Sequence, residues 1–294
     1  MAYGQHPEYD AFGPWVYIVG GDYPLPPLFA PYAAQLSGAQ MVLKIPRKIE
    51  RRKANPFMHL YDTIVAVFET HLLVLRRDTD RVSQQQIEYQ DVQAIKKTTC
   101  LLRGELLVYT AGQTVEVEYN TVSDKVITQA AALIRSFLPS RPVRLNITPL
   151  AYGFDVIDHL YVNLLNELKK TNKDMALAAY QPRMSLSGGN AFTRAMKRLW
   201  RKRTLQCTAF VVNARELIVI ERSSSLKKSR TPDYAYSYVY LPLQNIRRTG
   251  ISALPKSPNL SEISFSTANH HFATVFNDQN LGIIALRSAL AERL

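Results

Sequence analysis

The sequence predicts a mainly β protein with α: two seven-stranded antiparallel barrels in tandem, each capped by a C-terminal helix and joined by a linker helix. Three observations carry this. Short apolar runs alternate with period two and are bounded by turn residues, the pattern of half-buried strands. The period shifts to that of an amphipathic helix near the middle of the chain and again at its end. The same order of runs then recurs in the second half, and a chain of 294 residues has room for two domains of about 150.

Residues 1–38 stand apart as an N-terminal arm. The first 35 hold six of the 16 prolines and five of the 16 tyrosines and no period lasts there, so a flexible or extended tail is expected. The run Trp15–Val19 is apolar enough to anchor. The first domain is placed at 39–139. Its strands are expected at 41–46, 59–69, 71–77, 85–90 and 92–98, with a hairpin of 105–112 and 114–120. Ser123 is the expected N-cap of a helix whose stripe is Val126, Ile127, Ala130, Ala131, Ile134 and Phe137, and Pro139 stops it.

A linker, 140–172, carries a connecting helix at 154–170. The second domain, 173–294, repeats the order: strands at 175–182, 204–213, 216–222, 236–242 and 243–249, a hairpin of 261–267 and 270–276, and a last helix capped by Asn277. The clearest echo is VQAIKKT at 92–98 against LQNIRRT at 243–249, which points to an internal duplication. The second half carries longer insertions at 183–203 and 223–235.

The run VAVFETHLLVLRR, then IEYQDVQAIKKT, then GELLVYTAGQTVEVEYN and a helix resembles the bacterial pleckstrin-homology (PH) and GRAM-like domains. Ile87, Asp91, Val92 and Ile95 fit that family's I-x-x-x-D-I-x-x-I strand; in the second copy Pro242 falls where Asp91 does. The resemblance covers about 40–138 and 173–294. It implies two roughly orthogonal sheets plugged at one end by the final helix, with the first–second and third–fourth strand loops side by side at the open end, where the family holds anionic head groups.

Chemistry is sparse. No Gly-rich phosphate loop, G-x-S-x-G or H-E-x-x-H occurs. The six histidines are scattered, and His270 and His271, adjacent in a strand, point to opposite faces. Cys100 and Cys207 lie in apolar runs and read as core residues of a reducing compartment. No apolar run approaches the ~18 residues of a membrane span, and the N-terminus lacks a secretory pattern. The expectation is a non-enzymatic protein without metal or cofactor, cytoplasmic and peripheral to a membrane.

The charge is informative. The net value is +12, and it is concentrated in loops. Segment 44–53 holds Lys44, Arg47, Lys48, Arg51, Arg52 and Lys53 against one acid, Glu50; segment 194–203 holds Arg194, Lys197, Arg198, Arg201, Lys202 and Arg203 with none. Each lies between the first and second strands of its copy. The third–fourth connection of the second copy adds Arg222, Lys227, Lys228 and Arg230.

Within 190–201, Phe192, Ala195, Met196 and Leu199 share a helical face opposite Arg194, Lys197, Arg198 and Arg201, with Trp200 at the edge, the pattern of a membrane-surface helix. The expected anion-binding set is therefore Lys44, Arg47, Lys48, Arg51, Arg52, Lys53, Arg194, Lys197, Arg198, Arg201, Lys202, Arg203, Lys227, Lys228 and Arg230, with Phe192, Met196, Leu199 and Trp200 as apolar contacts. The expected partner is an anionic lipid surface or an acidic protein surface. The alternative is an interaction scaffold or homo-oligomer subunit using sheet edges and the tyrosine stripe Tyr234, Tyr236, Tyr238 and Tyr240. Nucleic acid is disfavoured, because only Phe57 and Trp200 could stack among the basic residues.

Overall fold

The computed structural model describes residues 13, 15–55, 57–79, 81–186, 203–228, 233–255, 257 and 259–293. The protein is mainly β with helices, and among the described residues no sheet closes on itself. The chain forms two compact units. The first contains the chain up to Val92 together with Thr99–Pro139; the second contains Gln93–Thr98 and everything from Ser140.

In the first unit a five-stranded sheet runs β1 (Tyr17–Ile18), β2 (Met41–Pro46), β3 (Tyr61–Val67), β4 (His71–Asp78) and β5 (Arg81–Glu88) in that spatial order, each pair antiparallel. A 3-10 turn, Tyr89–Asp91, leads into β6 (Val92–Cys100). The hairpin of β7 (Arg103–Thr110) and β8 (Thr114–Asn120) follows. Its alternation is clean: Val115, Val117 and Tyr119 are buried, Thr114 and Glu116 exposed. Gly104 faces Tyr119 across the ladder, and a Cβ there would meet the ring at 2.2 Å, so only glycine admits the ring. Helix α2 (Asp124–Phe137) buries Ile127, Ala130, Ala131 and Ile134, one i, i+3, i+4, i+7 stripe.

Two expectations change here. The arm is not a tail from residue 15 onward: β1 pairs with β2, a 3-10 turn (Pro27–Tyr32) leads into the short helix α1 (Ala33–Leu36), and Val16, Phe29 and Leu36 are buried. Phe29 packs with Ile64, Ala66, Leu73 and Leu75. Ser123 precedes α2 but makes no side-chain cap. Its hydroxyl instead accepts the Val16 N–H at 2.8 Å, so the residue expected to cap the helix fastens the arm.

In the second unit α3 (His159–Thr171), capped by Asp158 accepting from Leu160 N–H at 2.9 Å, precedes a run of strands. Spatially these are the Gln93–Thr98 segment of β6, then β15 (Ala235–Pro242), β13 (Glu216–Arg222), β12 (Thr208–Val212) and β9 (Ala176–Gln181). Gln93 is held by the β17–β18 turn: its side-chain oxygen accepts from Thr267 Oγ1 at 2.6 Å and Asn269 N at 3.1 Å, and its amide donates to Asn269 Oδ1 at 2.8 Å. A three-stranded sheet of β16 (Arg248–Ala253), β17 (Leu260–Ser266) and β18 (His271–Asn277) and the terminal helix α4 (Leu281–Ala291) complete the order. Asn280, not Asn277, caps α4, accepting from Ile283 N–H at 3.2 Å.

The insertions form a small sheet of β10 (Met184–Leu186), β11 (Arg203–Leu205) and β14 (Leu226–Lys228). The segment 204–213, expected as one strand, is broken between β11 and β12.

The echo between 92–98 and 243–249 is real in composition but out of register. Leu243–Asn245 is a 3-10 turn, the counterpart of Tyr89–Asp91, and β16 begins only at Arg248. With the turns superposed, Asn245 rather than Pro242 stands where Asp91 does. Ile87, Val92 and Ile95 then answer to Leu241, Ile246 and Thr249, all six of them buried.

Candidate functional site

The connection between β2 and β3 is closed at its neck by Arg47 N donating to Leu60 O at 2.7 Å. It carries Lys48, Arg52 and Lys53, whose side chains are exposed, and Phe57, which is 56% exposed. Arg52 Nε lies 2.5 Å from Glu50 and Lys53 Nζ 3.8 Å from the same carboxylate. Lys48 pairs with Glu118 of β8, and Arg103 Nη2 reaches that carboxylate at 2.8 Å. Each acid therefore meets two cations, so pairing leaves an excess of positive charge.

At the foot of the loop, burial raises the Asp62 carboxyl above its ordinary range, against the opposing pull of the Thr63 hydroxyl and the Arg47 and Arg77 guanidinium groups. Arg77 belongs to β4, one residue beyond the Thr63–Arg76 pair of the β3–β4 ladder.

The same end of the unit carries an apolar tip. Beyond the Arg103–Asn120 pair, Thr121 N donates to Leu102 O at 3.1 Å and the Thr121 hydroxyl to Leu101 O. Leu101, Leu102 and Val122 are 63%, 68% and 62% exposed. Leu101 has φ 50°, a left-handed conformation that costs a residue with a Cβ about 1–2 kcal/mol. The loop cations were legible as a charge run. The tip was missed because Leu101 and Leu102 fall between the strands expected at 92–98 and 105–112 and carry no charge or period, and only the turn between β6 and β7 exposes them.

Lys44 leaves the expected set. It is only 4% exposed. Its ammonium donates to Pro24 O at 3.0 Å and lies 4.6 Å above the Tyr61 ring, with the stacked rings of Tyr17 and Tyr23 at 5.9 and 6.0 Å. It lies inside the ladder rather than in the loop, and the cation serves the arm through the quadrupoles of the rings. Arg47 is half-buried. In the second unit Lys227 is largely buried and paired with Asp233 at 3.3 Å, while Arg203 is exposed on β11 opposite Lys228 in the register.

Phe192, Arg194, Met196, Lys197, Arg198, Leu199, Trp200, Arg201, Lys202 and Arg230 lie outside the described residues, as do the side chains of Arg51 and Lys228. The tyrosine stripe is not an open face: Tyr238 and Tyr240 are buried and stacked, Tyr238 lies under the Lys97 ammonium at 5.5 Å, and only Tyr234 is largely exposed.

Cys207 is buried, and burial raises its thiol above the ordinary range. Among the described residues no three His, Cys, Asp or Glu side chains converge as a metal site, and no helix is long and apolar enough to cross a membrane. No protein-family model matches this chain, and no curated protein matches it in sequence.

Proposed function

We propose that the chain is a non-enzymatic tandem PH-like binding protein whose first unit docks on anionic membrane surfaces, on the cytoplasmic side, through the β2–β3 loop. The PH-like reading rests on an order that recurs along the chain: β2–β5, a 3-10 turn, β6–β8 and a helix in the first half, and β9, β12, β13 and β15, a 3-10 turn, β16–β18 and a helix in the second, where β10, β11 and β14 are inserted. One observation carries the docking: at the loop end of the first unit, cations outnumber carboxylates two to one, with Lys48, Arg52, Lys53 and Arg103 grouped about Glu50 and Glu118. Attraction to an anionic leaflet is worth about 1 kcal/mol per Lys or Arg near the surface. It needs charge and exposure rather than a stereospecific pocket.

Arg52→Glu with Lys53→Glu is expected to lower co-sedimentation with phosphatidylserine-containing vesicles at least about tenfold. The melting temperature should stay nearly constant, since exposed pairs contribute about 0–1 kcal/mol. Equal pelleting of parent and variant, or loss of pelleting to competing DNA, would sink the lipid reading. A stable complex in pull-downs without pelleting would favour the scaffold.

A further inference from the structure

We infer that the β6–β7 turn of the first unit, with Leu101 and Leu102 at its apex and Val122 beside them, is an apolar wedge that enters the acyl boundary of an anionic bilayer. This deepens the docking proposed above and rests on it. Three independent observations converge on the tip.

Its side chains stand out into solvent while the turn beneath is tied down. Thr121 donates to both leucine carbonyls, and Val122 N donates to Asn120 Oδ1 at 3.0 Å. A surface of this kind gains from leaving water, and its backbone is already ordered, so little conformational freedom remains to be lost on contact.

The tip is also held against a local preference. Leu101 occupies the left-handed region at φ 50°, whereas the matching connection of the second unit, between β16 and β17, places Asn259 there at φ 66°. Asparagine is the residue that tolerates this conformation. Keeping a strained, solvated leucine in its place is explained by a use for the side chain, because backbone strain is typically retained where it serves function.

Charge complementarity names the occupant. Arg103 adjoins the leucines in sequence and Lys48 joins it at Glu118, while Lys125 is exposed three residues beyond Val122. Apolar knobs with cations beside them match a surface of anionic head groups over hydrocarbon.

The decisive variant is Leu101→Asn with Leu102→Ser, which copies the second unit's left-handed residue and preserves the turn. Binding of the full chain to mixed phosphatidylcholine–phosphatidylserine vesicles is measured across a salt series beside the parent and the Arg52→Glu, Lys53→Glu variant. The wedge predicts about tenfold or greater loss of affinity with the salt dependence unchanged, whereas the charge variant loses affinity and flattens the salt dependence. Parent-like vesicle binding by the leucine variant overturns the wedge and leaves the basic loop standing. Failure of the parent itself to bind overturns the docking reading and the wedge with it. Self-association of the parent that the leucine variant loses, without vesicle binding in either, assigns the tip to a second copy of the chain and likewise overturns the wedge.

Discussion

The first and second units cover the outer edge of their leading strand with the chain segment that precedes them, and they do so to different depths. Through the matched registers of β3 and β12, Val42 corresponds to Leu177 and Lys44 to Tyr180. Val42 O accepts from Val19 N at 2.7 Å, and Leu177 O accepts from Leu150 N at 2.7 Å. Lys44 then reaches out to Pro24 O, and Tyr180 accepts from Asp158 N at 3.2 Å.

In the first unit this contact grows into a strand, β1, with an aromatic clamp over the lysine. In the second it stays a single backbone bond and a tyrosine. The difference follows from side-chain supply. The arm brings Tyr17, Tyr23 and Phe29, which can bury a cation's stem and fill a core, whereas the ring that the linker segment brings to β9, Tyr161, packs edge-on against Tyr180 at 5.7 Å. Covering an edge protects it from pairing with another chain, and covering it with buried aromatics also makes the covering segment part of the core.

The largest expected effect tests that last statement. Phe29→Ala empties a fully buried position among Ile64, Ala66, Leu73 and Leu75 and is expected to cost about 3–5 kcal/mol, read as a lowered urea midpoint. A midpoint within error of the parent would make the arm an accessory and dissolve the comparison.

The middle effect compares the two clamps. Lys44→Ala removes the hydrogen bond, the ring contacts and the packed stem and is expected to cost about 2–3 kcal/mol. Tyr180→Phe removes one hydroxyl acceptor, for about 1 kcal/mol. Chemical denaturation of both variants checks the order, and a costlier Tyr180→Phe would reverse the assignment of depth.

The smallest effect concerns the turns. Leu101→Gly relieves the left-handed strain at φ 50° and is expected to stabilise the first unit by about 0.5–1 kcal/mol. Asn259→Gly, already in a tolerant residue, should leave the midpoint within a few tenths of a kcal/mol. Calorimetry on the pair separates a strained turn from a relaxed one.

Much of this architecture was legible in the residues. Strand order, the two terminal helices and the loop cations follow from periods and charge runs that local sequence states directly. Registers were less so. LQNIRRT matches VQAIKKT in character at every position except Asn245 against Ala94, yet a three-residue turn sits at the start of one and before the other, because composition cannot distinguish a buried Leu in a turn from a buried Val in a strand. The irregularity at Phe210–Val211 in the β9–β12 pairing likewise shifts the second unit's leading strand against the first by more than a sequence match reveals.

Of the site, Lys48, Arg52 and Lys53 were read correctly as exposed loop charges. Lys44, four residues from Lys48, was not, since exposure depends on which segment comes to lie over a strand. By itself the sequence determined the alternation of strands, the amphipathic stripes and the sign of the loop charge, all of which are properties of neighbours along the chain. The tertiary structure alone decided that an arm without periodicity becomes a strand, that Ser123 fastens it instead of capping a helix, and that two leucines between strands stand in solvent. Each of those outcomes depends on contacts between residues tens of positions apart, whose free energy no local pattern records.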